Sequence, residues 1–161
     1  MDAACTQIGR PELCGKRPTD VTPLPMAPMA VEIGTFETLC AEAAAVGRDL
    51  PLPADAAPLL AERYGTGYTA IHDLVRSDPA LGKPLLPGLP FCRAEVVHAA
   101  RAEMAQTLED VLRRRVPILV LDRVPREVLA DAADLVGEEL GWSAERKAQE
   151  VAVLGMLLPS H

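Results

Sequence analysis

The chain has 161 residues, of which 49% are hydrophobic but only 3% aromatic, and its 23 acidic against 16 basic side chains leave a net charge of −7. That length holds one core rather than two, and the acidic balance excludes the phosphate-neutralising surface on which nucleic-acid binding rests. No stretch approaches the roughly 20 apolar residues of a bilayer span; the longest candidates are Ile118 to Leu121 and Val151 to Leu158.

Met1 is followed by Asp2 and no apolar run, so no signal peptide is expected. Five of the 15 prolines fall between Pro11 and Pro28, and each fixes φ and removes a backbone donor. Residues 1–30 therefore read as a Pro-rich linker, with Met1 to Gly9 as the remnant of a preceding helix, and residues 31–161 as one helical domain. The first helix runs from Phe36 to Val46, capped by Thr35 and ended by Gly47, with Phe36, Leu39, Cys40 and Ala43 as its apolar stripe. Pro53 to Tyr64 gives a second, with Asp55 near its start, Pro58 in its first turn, Leu59 and Leu60 inward and Gly65 at its end. A third runs from Thr66 or Gly67 to Arg76, burying Ile71, Leu74 and Val75, and Asp78-Pro79 stops it. Three prolines between Lys83 and Cys92 predict an extended segment.

The most patterned stretch is Ala94 to Arg115. Taken from Val97, the residues Ala100, Met104, Leu108, Val111 and Leu112 recur at three- and four-residue steps, which lays them on one buried helix face. Thr107 and Asp110 have the spacing of a capping box, so one long helix or two abutting ones both satisfy the pattern. Pro117 forces a break. Ile118 to Leu121 has the composition of a short strand, but with no second strand in sight an apolar helix or loop fits better. Pro125 opens a helix with Leu129, Ala132, Val136 and Leu140 on its stripe, closed by Gly141. Ser143 caps the last helix, with Glu145 in its first turn. The expected fold is all-α: a compact domain of five to seven short helices behind the Pro-rich linker, its stability modest because much of its apolar content is alanine.

Chemistry-bearing groups are sparse. Cys5, Cys14, Cys40 and Cys92 form no Cys-x-x-Cys pair and read as reduced thiols that ligate nothing, with Cys40 a small core residue. Glu95-x-x-His98 has the spacing of one half of a carboxylate-bridged dimetal site, but no second such pair exists, so it reads as a solvated helix face and no metal is expected. His72-Asp73 and His98 lack any recognisable nucleophile nearby and read as surface histidines. A helix-turn-helix joint at Tyr64-Gly65-Thr66 is opposed by the acidic balance. Arg101 falls inside the apolar stripe between Val97 and Met104. A charge there must be paired, by Glu95, Glu103 or an acid on another helix.

Several spaced strings occur in a recognisable order: Thr22-Pro23-Leu24-Pro25, Glu62-Arg63-Tyr64-Gly65, Pro84-Leu85-Leu86-Pro87, Leu89-Pro90-Phe91, Ala94-Glu95-Val96-Val97 and Arg101-Ala102-Glu103-Met104-Ala105. The densest is Thr107-Leu108-Glu109-Asp110-Val111-Leu112-Arg113-Arg114-Arg115, and Glu138-Glu139-Leu140-Gly141-Trp142 follows. Together they resemble the C-terminal domain of the FAD-dependent glycerol-3-phosphate dehydrogenases and α-glycerophosphate oxidases. The chain departs from the family at Val116-Pro117, where a polar, helix-compatible residue is usual, and in its apolar final segment.

The resemblance implies that the complete enzyme oxidises sn-glycerol 3-phosphate to dihydroxyacetone phosphate and passes electrons through FAD to quinone, or to oxygen in the oxidases. It also implies that the flavin fold, substrate arginines and catalytic groups lie elsewhere. The Gly-x-Gly-x-x-Gly turn that holds the flavin pyrophosphate is absent, and Gly65-Thr66-Gly67 reads as a helix stop. No catalytic, cofactor-binding or metal residue is assigned, and this chain is expected to bind no FAD and to be inactive alone. It would serve as a detached structural and interaction domain, the product of a truncated or split reading frame or an excision, with a flavin-domain polypeptide as its partner. Arg101, Glu95, Glu103 and Arg115 are the candidates for structural ion pairs or for pairs across the interface with that domain. The expected location is cytoplasmic, with membrane contact only peripheral and only within a complete enzyme. The alternative is a free-standing helical protein-interaction module.

Overall fold

The computed structural model describes residues 36–157, and over them seven α-helices succeed one another with no β-strand. The fold is all-α, as the hydrophobic periodicity required. The linker of residues 1–30, the Thr35 cap, Cys5, Cys14 and residues 158–161 lie outside the described residues.

Helix α1 (Phe36–Gly47) and α2 (Ala56–Tyr64) form an antiparallel pair. They come so close at one end that a Cβ on Gly47 would lie 2.6 Å from the Cβ of Ala57. A 3₁₀ turn, Gly65–Gly67, leads into α3 (Tyr68–Ser77). Asp78 then caps a second 3₁₀ turn, Pro79–Gly82, by accepting the Ala80 N–H at 2.9 Å. Helix α4 (Arg93–Ala102) is followed by a π-helical turn (Asp110–Arg115), the single-turn α5 (Ile118–Leu121), α6 (Arg126–Leu140) and α7 (Ala144–Leu157). Local chemistry accounts for the later boundaries. Pro125 stands at the N-cap of α6, and Gly141 closes it in the left-handed conformation at φ 67°. The Ser143 hydroxyl accepts the Arg146 N–H at 3.2 Å to open α7.

Two apolar clusters make the core. One joins Leu39 and Ala43 of α1, Leu60, Ala61 and Tyr64 of α2, and Tyr68, Ile71 and Val75 of α3. The other joins Leu85, Leu86 and Phe91 of the proline loop with Val96 and Val97 of α4, then Leu108, Val111 and Leu112, Leu129, Ala132 and Val136 of α6, and Val151 and Leu154 of α7. Leu74 and Leu81 pack against both. Helix α4 runs between them and is buried on nearly every side, from Ala94 through Ala100.

Four expectations need correction. Of the two arrangements open to Ala94 to Arg115 the broken one is adopted, because Met104 takes φ 59° and the Glu103 and Ala105 amides both donate to the Ala99 carbonyl at 3.3 Å, which closes α4. Met104 is therefore 86% exposed and lies off the core face that Val97, Leu108, Val111 and Leu112 share. The second piece begins with the expected box: the Asp110 N–H reaches Thr107 Oγ1 at 3.1 Å and the Thr107 N–H reaches Asp110 Oδ2 at 3.1 Å. It widens into a π turn closed by Val116 N–H on the Val111 carbonyl at 2.8 Å, just before Pro117, where an α conformation is disfavoured. The Lys83 to Cys92 segment folds back on itself rather than running extended, with Leu85 N–H on the Phe91 carbonyl at 2.8 Å and a turn at Gly88, φ 87°. Phe36, at the first position of α1, is 45% exposed. Leu74 is only partly buried, being shared between the clusters.

Candidate functional site

The densest polar arrangement lies where the end of α2 meets the start of α4. Glu95 is the third residue of α4, the position from which a carboxylate reaches back to the helix start, and its Oε1 accepts the Cys92 N–H at 2.9 Å. Its Oε2 accepts Arg63 Nε at 3.0 Å. Arg63, projecting from the last turn of α2, also donates from Nη2 to the Pro90 carbonyl at 3.1 Å and lies over the Phe91 ring at 4.5 Å. One guanidinium thus clips α2, the proline loop and α4 together. The Glu95 side chain is fully buried, and that burial raises its pKa against the opposing pull of Arg63 and the Cys92 amide.

Around this pair the other titratable groups are held neutral. Burial, then the Glu95 charge, pushes the Cys92 thiol up to about 12. Burial, then Glu95 and Glu103, raises the Tyr64 hydroxyl far above its ordinary range. His98 meets the Tyr64 ring edge-on, with centroids 5.5 Å apart, and burial lowers its pKa against Glu103. His72 is lowered first by burial and then by Arg76, and packs edge-on to Tyr68 at 5.0 Å. A thiol protonated to about pH 12 is no nucleophile. A carboxylate without solvent access meets no substrate. The arrangement is built to hold helices together.

The structure gives each of the four sequence-derived candidates its own surroundings. Glu95 is no solvated residue and does not meet Arg101; its partner is Arg63, 32 positions earlier. Arg101 is half exposed, outside the core, and pairs in a fork with Glu139 of α6, Nε to Oε2 at 2.5 Å and Nη2 to Oε1 at 2.7 Å. Of the three partners proposed for it, the acid on another helix is the one that meets it. Arg115 donates from Nη2 to the backbone carbonyl of Glu103 at 3.1 Å, so these two adjoin without pairing charge to charge. His72 and His98, read as surface residues, are both buried, as is Glu95 of the Glu95-x-x-His98 pair. Sequence reasoning missed Arg63. Its signal was that Glu62-Arg63-Tyr64-Gly65 and Ala94-Glu95-Val96-Val97 both belong to the strings carrying the family resemblance, and the fold brings those two strings into contact.

A groove of about 550 Å³ lies beside this clamp, walled by Pro53, Pro84, Pro87, Pro90, Leu59 and Leu89, with Asp55 the one charged group among its described lining residues. Among the described residues no group of three or more histidines, cysteines or carboxylates is placed to hold a metal ion, and no helix is long and apolar enough to cross a membrane. The Gly65–Gly67 turn does not fit a flavin pyrophosphate. It joins two helices rather than a strand to a helix, and the Tyr68 N–H that follows it is directed at the Gly65 and Thr66 carbonyls.

A family model described as the C-terminal domain of alpha-glycerophosphate oxidase matches residues 32–147. Among curated relatives, the chain is 36% identical to a glycerol-3-phosphate dehydrogenase of Synechocystis over 89 residues, covering 55% of this chain and 16% of that protein. It is 32% identical over 105 residues to a probable mitochondrial glycerol-3-phosphate dehydrogenase of Dictyostelium discoideum, covering 65% of this chain and 16% of the relative. It is 33% identical over 96 residues to glycerol-3-phosphate dehydrogenase 2 of Mycobacterium bovis, covering 58% and 16%. The chain thus spans only a small part of the length of the relatives it matches. No solved structure matches it.

Proposed function

The chain belongs to the family of alpha-glycerophosphate oxidase C-terminal domains, and from that membership we propose that it serves as the helical C-terminal domain of an FAD-dependent glycerol-3-phosphate dehydrogenase. Its role is structural and interactive: residues 1–30 form a linker, residues 31–161 the folded body, and a flavin-bearing polypeptide supplies the chemistry. The complete assembly oxidises sn-glycerol 3-phosphate to dihydroxyacetone phosphate and passes electrons through FAD to quinone, on the cytoplasmic side and in peripheral contact with the membrane. Alone, this chain binds no flavin and turns over no substrate.

The observation that carries the reading is the Arg63–Glu95 clamp with its surroundings. The best-formed polar cluster is committed to holding α2, the proline loop and α4 together, and its carboxylate, thiol and imidazole are buried. Of the four residues considered for ion pairs, Glu95 and Arg101 are used within the domain, while among the described residues neither Glu103 nor Arg115 has an ion-pair partner, the Arg115 guanidinium donating to the Glu103 carbonyl. The test is to purify the 161-residue chain alone and with the flavin-bearing part of a glycerol-3-phosphate dehydrogenase relative. The expected result is no visible flavin band and no dye reduction alone, with co-purification and restored turnover in the mixture. A flavin band bleached by substrate in the isolated chain overturns the non-catalytic reading. A folded chain that does not bind the flavin part turns the assignment to a free-standing interaction module.

A further inference from the structure

We propose that His72 is an acid-sensitive latch on α1: uptake of a proton by its ring opens the seam between the close of α1 and the start of α2, while α4, α6 and α7 stay packed. His72 lies at the middle of α3 and is fully buried. A Cβ on Gly47, the last residue of α1, would lie 3.2 Å from its Cε1 and 3.3 Å from its Nε2, so the end of α1 rests on the imidazole. Ala57, in the first turn of α2, meets Gly47 at the same point. On its own helix the ring packs edge-on to Tyr68 at 5.0 Å. Three helices therefore converge on one titratable side chain.

Among the described residues neither ring nitrogen of His72 has a hydrogen-bond partner. The neutral ring leaves one N–H unmet; protonation adds a second N–H and a full charge, and a buried charge without a partner is among the costliest arrangements in a core. The charges that act on the ring, Arg76 and Asp73, both belong to α3 and pair with each other at 2.6 Å. On the packed elements the charged side chains flanking the contact are Glu42 and Arg48 on the α1 side and Asp55 on the α2 side, and none of them hydrogen-bonds to the imidazole. An imidazolium must then find its acceptors in water. Gly47 and Ala57 both line an open groove of about 300 Å³, so parting these two small residues brings solvent to the ring. Helix α1 packs mainly on α2 and, less, on α3, and its share of the buried cluster there is Leu39 and Ala43. It can lift as a local unit without disturbing the cluster around α6 and α7. Burial, then Arg76, lowers the His72 pKa in the closed form, so the seam loses stability as pH falls through the ordinary histidine value of about 6.5. Helix α1 is the first described helix of the segment that matches the C-terminal domain family, and the latch therefore governs that domain's leading edge.

Native-state hydrogen exchange of the 161-residue chain, read amide by amide by NMR at pH 7.5 and 5.5 and corrected for the intrinsic effect of pH, tests the latch. Wild type is compared with His72→Gln and His72→Leu, which take up no proton there, and with His98→Gln, which removes the other buried histidine, on α4. In wild type the α1 amides from Ala43 to Gly47 should lose at least about threefold in protection between the two pH values, and should exchange faster than those of α6 at pH 5.5. The loss should persist in His98→Gln and vanish in whichever His72 variant folds. Unchanged α1 protection in wild type, a loss that survives in the His72 variants, or α1 and α6 amides exchanging at one common rate would each overturn the latch. Because the readout is in the isolated chain, its failure leaves the proposed function standing.

Discussion

At Glu95 a carboxyl group sits in the core, met by donors from Arg63 and by the Cys92 N–H, with burial raising its pKa against them. Removing one partner of a buried pair is far costlier than the pair is beneficial, since it leaves the other charge desolvated. Arg63→Met should therefore cost about 3–5 kcal/mol. Glu95→Gln keeps an acceptor for Cys92 and leaves behind a partly exposed arginine, so it should cost about 1–3 kcal/mol. Urea denaturation at pH 7 reads the difference, and equal losses would show that the carboxylate is not held by Arg63. The buried histidines set a pH dependence of definite sign. Burial lowers the pKa of His72 and His98, so the unfolded chain binds more protons below the ordinary histidine value of about 6.5. Their stabilisation is complete above that pH and is lost as pH falls through it. Melting temperature should drop between pH 7.5 and 5.5 and drop less in a His72→Gln, His98→Gln variant. Glu95, whose pKa is raised, titrates with the opposite sign, so the difference between the two proteins isolates the histidines. The sequence offered Glu95 as a candidate partner for Arg101 but read its helix face as solvated. That it is buried against Arg63 was not legible, because no local spacing joins residues 32 apart.

Among the helices, the boundaries marked by their own residues were the readable ones: Asp78-Pro79, the Thr107 and Asp110 box, Gly141 and Ser143 each act through atoms within a few positions. The end of α4 carries no such mark. A methionine occupies the left-handed closing position normally given to glycine, so a pattern of apolar spacing runs on across a break the backbone makes. Packing between helices is equally unmarked, and two glycines inside helices distinguish it. A Cβ on Gly47 would press on the Cβ of Ala57 at 2.6 Å, which cannot move without shifting α2. A Cβ on Gly137 would meet the flexible stem of Lys147, which swings aside at the expense of its half-exposed contact with Asp134. Gly47→Ala should destabilise by about 1–3 kcal/mol through overpacking. Gly137→Ala should be neutral or stabilising by up to about 1 kcal/mol through helix propensity. Denaturation midpoints of the two variants should move in opposite directions or differ by at least that margin; matching losses would mean that α6 and α7 pack as tightly as α1 and α2.

Over the whole molecule, the two clusters are joined by α4, by Leu74 and Leu81, and by the Arg63 clip. They should melt as one unit. Trp142 reports on the cluster around α6 and α7, and Tyr64 and Tyr68 on the one around α1 to α3. Tryptophan fluorescence and the tyrosine near-ultraviolet signal should therefore trace a single denaturant transition; separated midpoints would show two independently folding halves. The all-α class, most helix positions and the family itself were determined by the sequence, because periodicity, caps, prolines and short strings act over a few residues at a time. Tertiary structure alone decided that Arg63 rather than Arg101 meets Glu95, that His72 and His98 are interior, and that Met104 faces outward. Those outcomes depend on which distant segments pack together, and burial and charge pairing are set by that packing.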